Sequence, residues 1–228
     1  MSDQVLIRIE DVSRIFPVPG GEFAALKKIN ATINKGCFTI LKGRSGSGKT
    51  TLMNIVGGLD APSSGKVFIE DCEISSLSEK ERENLRRKDF GFVFQSVSLI
   101  PSLNAYQNVE FSMRLAGKKI DAGTAKRVRD CLKMVGLGNR MTHMPAELSG
   151  GEQQRVAIAR AIAHKPRVIF ADEPTAELDS AMAASVTELF KTMAEKEGIT
   201  VLMTTHDVGL MDAADSIIEL ESGERINA

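Results

Sequence analysis

The segment Gly43-Arg44-Ser45-Gly46-Ser47-Gly48-Lys49-Thr50 constrains this chain more than any other. The apolar run Phe38 to Leu41 precedes it, and a helix-like stretch from Lys49 to Gly57 follows. A strand that enters a glycine-rich turn and leaves as a helix belongs to an α/β fold. Gly43, Gly46 and Gly48 let backbone N–H groups converge on one point, Lys49 adds a cation and Thr50 a hydroxyl. Those residue types at that spacing form a P-loop, which wraps the phosphates of a nucleotide and offers its hydroxyl to Mg²⁺.

The rest of the pattern agrees with such a core. Phe90 to Phe94, Val168 to Ala171, Ile199 to Met203 and Ile217 to Leu220 are short apolar runs. The last three follow helical stretches, which implies a parallel sheet covered on both faces. Val5 to Glu10 and Ile29 to Ile33 also resemble strands, and Pro17-Val18-Pro19-Gly20-Gly21 between them reads as a turn, so an antiparallel β edge is expected at the N-terminus. Between Ser96 and Pro145 strand signals vanish, while Ala105 to Leu115 and Ala122 to Val135 carry apolar residues at helical spacing. The expected architecture is one α/β P-loop NTPase domain. Residues 1–95 and 146–228 form the catalytic core, and 96–145 an inserted helical subdomain suited to a partner.

Val168-Ile169-Phe170-Ala171-Asp172-Glu173 is a buried-type strand ending in two acids. A parallel sheet puts such acids at its carboxyl edge, where ligands bind. Alone, the pair would read as a helix N-cap. Beside a P-loop, Asp172 is assigned to the metal, directly or through water, and Glu173 to the attacking water as general base. Gln95, at the end of another strand, is placed to reach the metal or that water without adding charge. His206 follows the run Thr200 to Thr205 and is expected to touch the γ-phosphate from the same edge. His143 and His164 have no such setting and are read as structural.

A second anion site lies in Leu148-Ser149-Gly150-Gly151-Glu152-Gln153-Gln154-Arg155. Ser149 is a helix N-cap type, and the first-turn N–H groups favour an anion. Two glycines in that turn cost helix stability, which makes sense where a phosphate must come close. This half-site has no base, metal ligand or lysine of its own, so it needs a P-loop from elsewhere.

Composition narrows the partners. A formal net charge of -1 with 26% charged residues gives no basic surplus for nucleic acid. Cys37, Cys72 and Cys131 are odd in number, far apart and without paired histidines, so they read as apolar fillers in a reducing compartment. There is no apolar run of about 18 residues, and Met1-Ser2-Asp3-Gln4 lacks the form of a leader. The expectation is a cytoplasmic protein without direct membrane insertion.

Taken together, the motifs resemble the ATP-binding subunit of ABC transporters over nearly the whole chain. In that family's terms Gly43 to Thr50 is similar to the Walker A motif, Gln95 to the Q-loop and Leu148 to Arg155 to the signature. Val168 to Glu173 resembles the Walker B motif with its glutamate, Ala176 to Asp179 the D-loop, and His206 the switch histidine. The resemblance implies nucleotide contacts from Gly43, Ser45, Gly46, Ser47, Gly48, Lys49, Thr50 and Thr51, with Phe16 stacking on adenine. It also implies that Ser149, Gly150, Gly151 and Glu152 act on ATP held by a second ATPase subunit, identical or related. Thr50, Gln95 and Asp172 would then serve Mg²⁺.

The segments Ile55 to Asp60, Gly91 to Gln95 and Leu99 to Pro101 resemble the macrolide-export, lipoprotein-release and cell-division branch. That branch implies an integral membrane permease as partner, with the ATPase peripheral on the inner face of the membrane. Regulatory signalling through such a partner, as for the cell-division relative, is the alternative. Ala176 stands where relatives often carry glycine. A soluble repair or translation ATPase fits poorly, since the chain has neither a long coiled coil nor a second head.

Overall fold

The computed structural model describes residues 4–227, so the first three residues of the Met1-to-Gln4 stretch lie outside the described residues. In chain order the elements are β1 (Val5–Val18), β2 (Gly21–Asn34), β3 (Phe38–Lys42), α1 (Lys49–Val56), β4 (Ser64–Ile69), β5 (Cys72–Glu73) and α2 (Glu79–Asp89). They continue with β6 (Phe90–Val93), α3 (Ala105–Leu115), α4 (Ala122–Met134), α5 (Gly150–Ala163), β7 (Val168–Asp172), α6 (Ser180–Glu197), β8 (Thr200–Thr204), β9 (Ser216–Glu221) and β10 (Glu224–Arg225).

Two sheets result. One has the order β10-β9-β3-β8-β7-β6 and is parallel except for the short hairpin to β10. The other is antiparallel, β2-β1-β4-β5. The N-terminal strands are therefore a separate sheet, longer than their sequence pattern suggested. Pro17 and Val18 still pair with Glu22 and Gly21, which leaves only Pro19-Gly20 as the turn. Proline is tolerated there because the hairpin end is an edge position.

Alternation along each parallel strand divides the core between the two faces. Val168, Phe170, Leu202 and Ile218 pack with α1 and the antiparallel sheet. Ile169, Ala171, Val201 and Met203 face the opposite way and pack with residues of α3, α4, α5 and α6. This continuous burial is why these strands read as uniformly apolar. α5 sits very close to β6: a β-carbon on Gly91 would lie 2.3 Å from the Ala161 carbonyl oxygen.

Three elements were not expected: β4, β5 and α2; β4 does bury Val67 and Ile69, but its apolar stretch is only three residues long. α2 has no buried residue; it stands on a capping box between Ser78 and Glu81 and on ion pairs from Glu79 to Arg82 and Arg86. Before β9 there is only a 3₁₀ turn, Val208–Ala213, where a helical stretch was expected. Cys37 and Cys131 are buried as expected of fillers, and burial pushes the Cys131 thiol up to about 11. Cys72 corrects that expectation, because the short β5 leaves it exposed. No helix among the described residues is long and apolar enough to cross a membrane.

Candidate functional site

The carboxyl ends of β3, β8, β7 and β6 lie side by side, because these four strands are neighbours and parallel. Each delivers one part of the sequence motifs to the same edge: the P-loop, His206, the acid pair and Gln95. They meet around a cleft of about 620 Å³ lined by Ser45, Gly46, Gly48, Lys49, Thr50, Thr51, Gln95, Glu173 and His206. A larger concavity of about 740 Å³ runs along β1, β2 and β10. Its Lys27 is paired to Glu224, and none of the motif residues reaches it.

The P-loop is already shaped for an anion. Gly48 caps α1 at φ 103°, a left-handed conformation natural to glycine, and a β-carbon there would lie 2.7 Å from the Ala25 carbonyl oxygen. Lys49 is buried, and its Nζ donates to the Gly43 and Arg44 carbonyls at 2.8 and 3.1 Å. A buried ammonium whose partners among the described residues are loop carbonyls is a cation available to phosphate. Ser47 is also buried, and its Oγ has no hydrogen-bond partner among the described residues.

Across the edge, Asp172 Oδ1 accepts from Thr204 Oγ1 at 2.6 Å and from Thr50 Oγ1 at 3.3 Å. The Thr50 hydroxyl and a carboxylate thus face each other, a pair of hard oxygen donors of the kind Mg²⁺ takes. Glu173 adopts φ 45°, unusual for a side chain larger than glycine. Its N–H donates to the same Thr204 Oγ1 at 2.8 Å, and its Oε2 lies 3.4 Å from His206 Nδ1. One buried hydroxyl therefore orients both acids, which sequence reasoning missed. The signal was there: threonines close an otherwise apolar strand immediately before His206.

Phe16 does not line the cleft. Its ring lies under the Arg14 guanidinium, 4.6 Å from centroid to Cζ, while its cross-strand partner Phe23 reaches the cleft, exposed. The two rings share a face of the hairpin. Phe23 is thus a second aromatic at this end, unflagged because an exposed phenylalanine in a hairpin has no motif.

Ser149, Gly150, Gly151 and Glu152 are not among the residues that line this cleft. They open α5, with Ser149 Oγ accepting from the Glu152 N–H at 3.3 Å. The Ser149 N–H returns a bond to Glu152 at 2.9 Å and holds that carboxyl below its usual range. Ser149 and Gly150 are exposed. Gly151 also has a packing reason, since a β-carbon there would come within 3.1 Å of Leu178 Cδ2 in the 176–179 turn. His164 is structural, buried with Nε2 on the Phe90 carbonyl at 2.9 Å, and desolvation lowers its pKa. His143 contacts Arg140 at 3.1 Å, away from the cleft.

A P-loop with an acid pair, a glutamine and a histidine at one edge of a parallel sheet defines the class: a P-loop ATPase. Comparison with known proteins sharpens this. The family model described as ABC transporter matches residues 26–176. The ABC transporter ATP-binding protein MJ1508 of Methanocaldococcus jannaschii is 46% identical over 96% of this chain and 97% of its own. The lipoprotein-releasing system ATP-binding protein LolD of Shewanella denitrificans is 39% identical over 96% and 93%. Among solved structures, the ATP-binding cassette MJ0796 in a dimeric post-hydrolysis state bound to ADP and Pi matches with a TM-score of 0.92. It is 39% identical, with 97% of each chain covered. The chain belongs to the ABC transporter family, as an ATP-binding and ATP-hydrolysing subunit.

Proposed function

We propose that two copies of this chain, or this chain and a related one, close over ATP to drive a membrane permease. One observation carries the reading. P-loop residues, Glu173, Gln95 and His206 line a single cleft, with Asp172 bonded to Thr50 beside it, while the anion-seeking start of α5 is exposed and outside it. One chain thus holds two incomplete halves, and pairing P-loop to α5 across two chains completes both. The similar MJ0796 cassette, dimeric in a post-hydrolysis state with ADP and Pi, supports a nucleotide-bound dimer here.

Within the closed site Lys49 and the loop amides would hold the β- and γ-phosphates. Thr50 and Asp172 would hold Mg²⁺, which supplies charge neutralisation on the phosphates. Glu173 orients and deprotonates the attacking water, His206 holds Glu173 and the γ-phosphate in register, and Gln95 senses the occupied site.

The permease would meet the groove of about 530 Å³ between α2, β6, α3 and α5. Its exposed Leu59, Phe94, Phe111 and Leu115 form an apolar floor, and Arg86 and Arg87 border it. Such a patch fits an amphipathic segment bearing an acidic residue. A chain docked this way would be peripheral on the inner face of a membrane. The LolD and MacB relatives support an extraction or export role.

The test is Glu173→Gln. It keeps side-chain shape and removes the base, so hydrolysis should fall roughly 10²- to 10⁴-fold while ATP still binds. With Mg-ATP, light scattering should then report a stable dimer that ADP does not produce. A variant that hydrolyses at the wild-type rate, or stays monomeric at saturating ATP, would overturn the reading.

A further inference from the structure

Gln154 is the least expected buried polar residue among the described residues: 1% exposed, in the first half of α5, with the buried apolar Val156, Ala157, Ile158 and Ala159 following it on the same helix. A methionine or leucine would fill that space at little cost, whereas an amide must be bonded or destabilise. Its Nε2 donates to the Pro174 carbonyl at 3.1 Å and to the Phe94 carbonyl at 3.3 Å, and its Oε1 has no donor among the described residues. A residue that leaves one of its own lone pairs unsatisfied is held there by what its other atom does.

What that atom does is bridge two strands beyond the end of their pairing. The β6–β7 ladder stops at Val93–Ala171. Past that rung the strands separate to deliver Gln95 and Glu173 to the cleft. Phe94 immediately precedes Gln95, and Pro174 immediately follows Glu173. The Gln154 amide therefore takes the place of the missing rung, and it comes from the helix that Ser149 opens. Farther along α5, Arg160 Nη1 donates to the Ser98 carbonyl at 2.6 Å, so the 94–98 segment is fastened to α5 at both ends. Gly91 lets this helix lie directly against β6, which leaves little slack between them.

We infer that Gln154 is a positioning residue for hydrolysis, which ties the spacing of Gln95 and Glu173 to the seating of α5. This rests on the reading that Glu173 activates water on ATP bound between two chains. A helix whose N-terminus has engaged the partner's phosphate would set both groups through one amide. Turnover is then conditional on closure without any direct contact between Gln154 and ATP.

The experiment compares Gln154→Leu and Gln154→Met with wild type and with Glu173→Gln, measuring ATP turnover, KM and thermal midpoint. Loss of the bridge should lower kcat roughly 10- to 100-fold, the scale of an ångström-sized misplacement. KM for ATP should stay within about twofold, and the midpoint should shift by only a few degrees, since the unsatisfied acceptor that leaves the core offsets the donor lost by the Pro174 and Phe94 carbonyls. Gln154→Leu/Glu173→Gln should still dimerise with Mg-ATP. A kcat near wild type in either Gln154 variant, while Glu173→Gln is inactive, overturns the inference and leaves the site reading standing. Parallel losses of kcat, KM and midpoint, or failure of both variants to fold, overturn it too, because the amide would then be a folding requirement. An active Glu173→Gln would bring down the underlying site reading instead.

Discussion

Thr204→Val is the sharpest test of how the acid pair is held. Thr204 is fully buried, and its hydroxyl makes two bonds at once: it donates to Asp172 Oδ1 at 2.6 Å and accepts from the Glu173 N–H at 2.8 Å. Valine keeps the shape and removes both. The first is charge-assisted, worth about 1.5–3 kcal/mol, and the second leaves an orphaned N–H that costs about 1–3 kcal/mol. The two share one hydroxyl, and Asp172 keeps a bond from Thr50, so the sum is discounted to about 2–4 kcal/mol. For a chain of this size that lowers the melting midpoint by about 5–15 °C. The left-handed backbone at Glu173, φ 45°, also loses the bond that holds it, so kcat should fall roughly 10- to 100-fold. Thr187→Val is the internal control. Thr187 is equally buried, but its hydroxyl only adds a bond to the Ala183 carbonyl within a helix, and no donor is orphaned by its loss. Differential scanning fluorimetry and a phosphate-release assay on both variants decide the matter. If Thr204→Val melts with Thr187→Val and turns over like wild type, the shared hydroxyl does not anchor the acids.

Lys49→Ala removes the buried cation of the P-loop and should reduce turnover at least about 10²-fold, as loss of one preorganised charge donor does; near-normal phosphate release would refute the cradle. If the chain pairs with itself, mixing Lys49→Ala with Ser149→Arg should restore activity above either variant alone, because only the mixed dimer keeps one intact composite site. Additive residual rates would argue against a shared site. His164, whose folded pKa lies below its ordinary value, stays neutral in the fold while the unfolded chain takes up a proton. Stability is therefore lost as pH falls below about 6.5 toward the folded pKa, and His164→Gln should melt with a weaker dependence between pH 7 and 5. Identical slopes for the two proteins would show that other groups set the acid limb.

The residues that announce themselves locally were legible without coordinates. Gly43 to Thr50 needs particular backbone freedom and charge within a few positions, and runs such as Val168 to Ala171 reflect burial on both faces of one strand. α3 and α4 followed from the same kind of periodicity. The two acids, Gln95 and His206 were found because each ends a strand, and in a parallel sheet all strand ends point one way. α2 and β5 escaped because surface elements held by caps, ion pairs and edge pairing bury too little to leave a period, and β4 because its apolar stretch, Val67 to Ile69, is only three residues long.

What only the folded chain decided is which of these local pieces become neighbours. Strand order β3-β8-β7-β6 brings His206 to Glu173 and Thr204 to Asp172 across about thirty residues of sequence. It places Phe23 at the cleft with Phe16 beside it, and turns Gln154 inward from a polar run that gave no hint of burial. The physical reason is that a local pattern records each residue's own preference for water or for a backbone conformation. Hydrogen bonds between distant segments are chosen later, when crossovers and two-sided burial settle which strand ends can lie side by side.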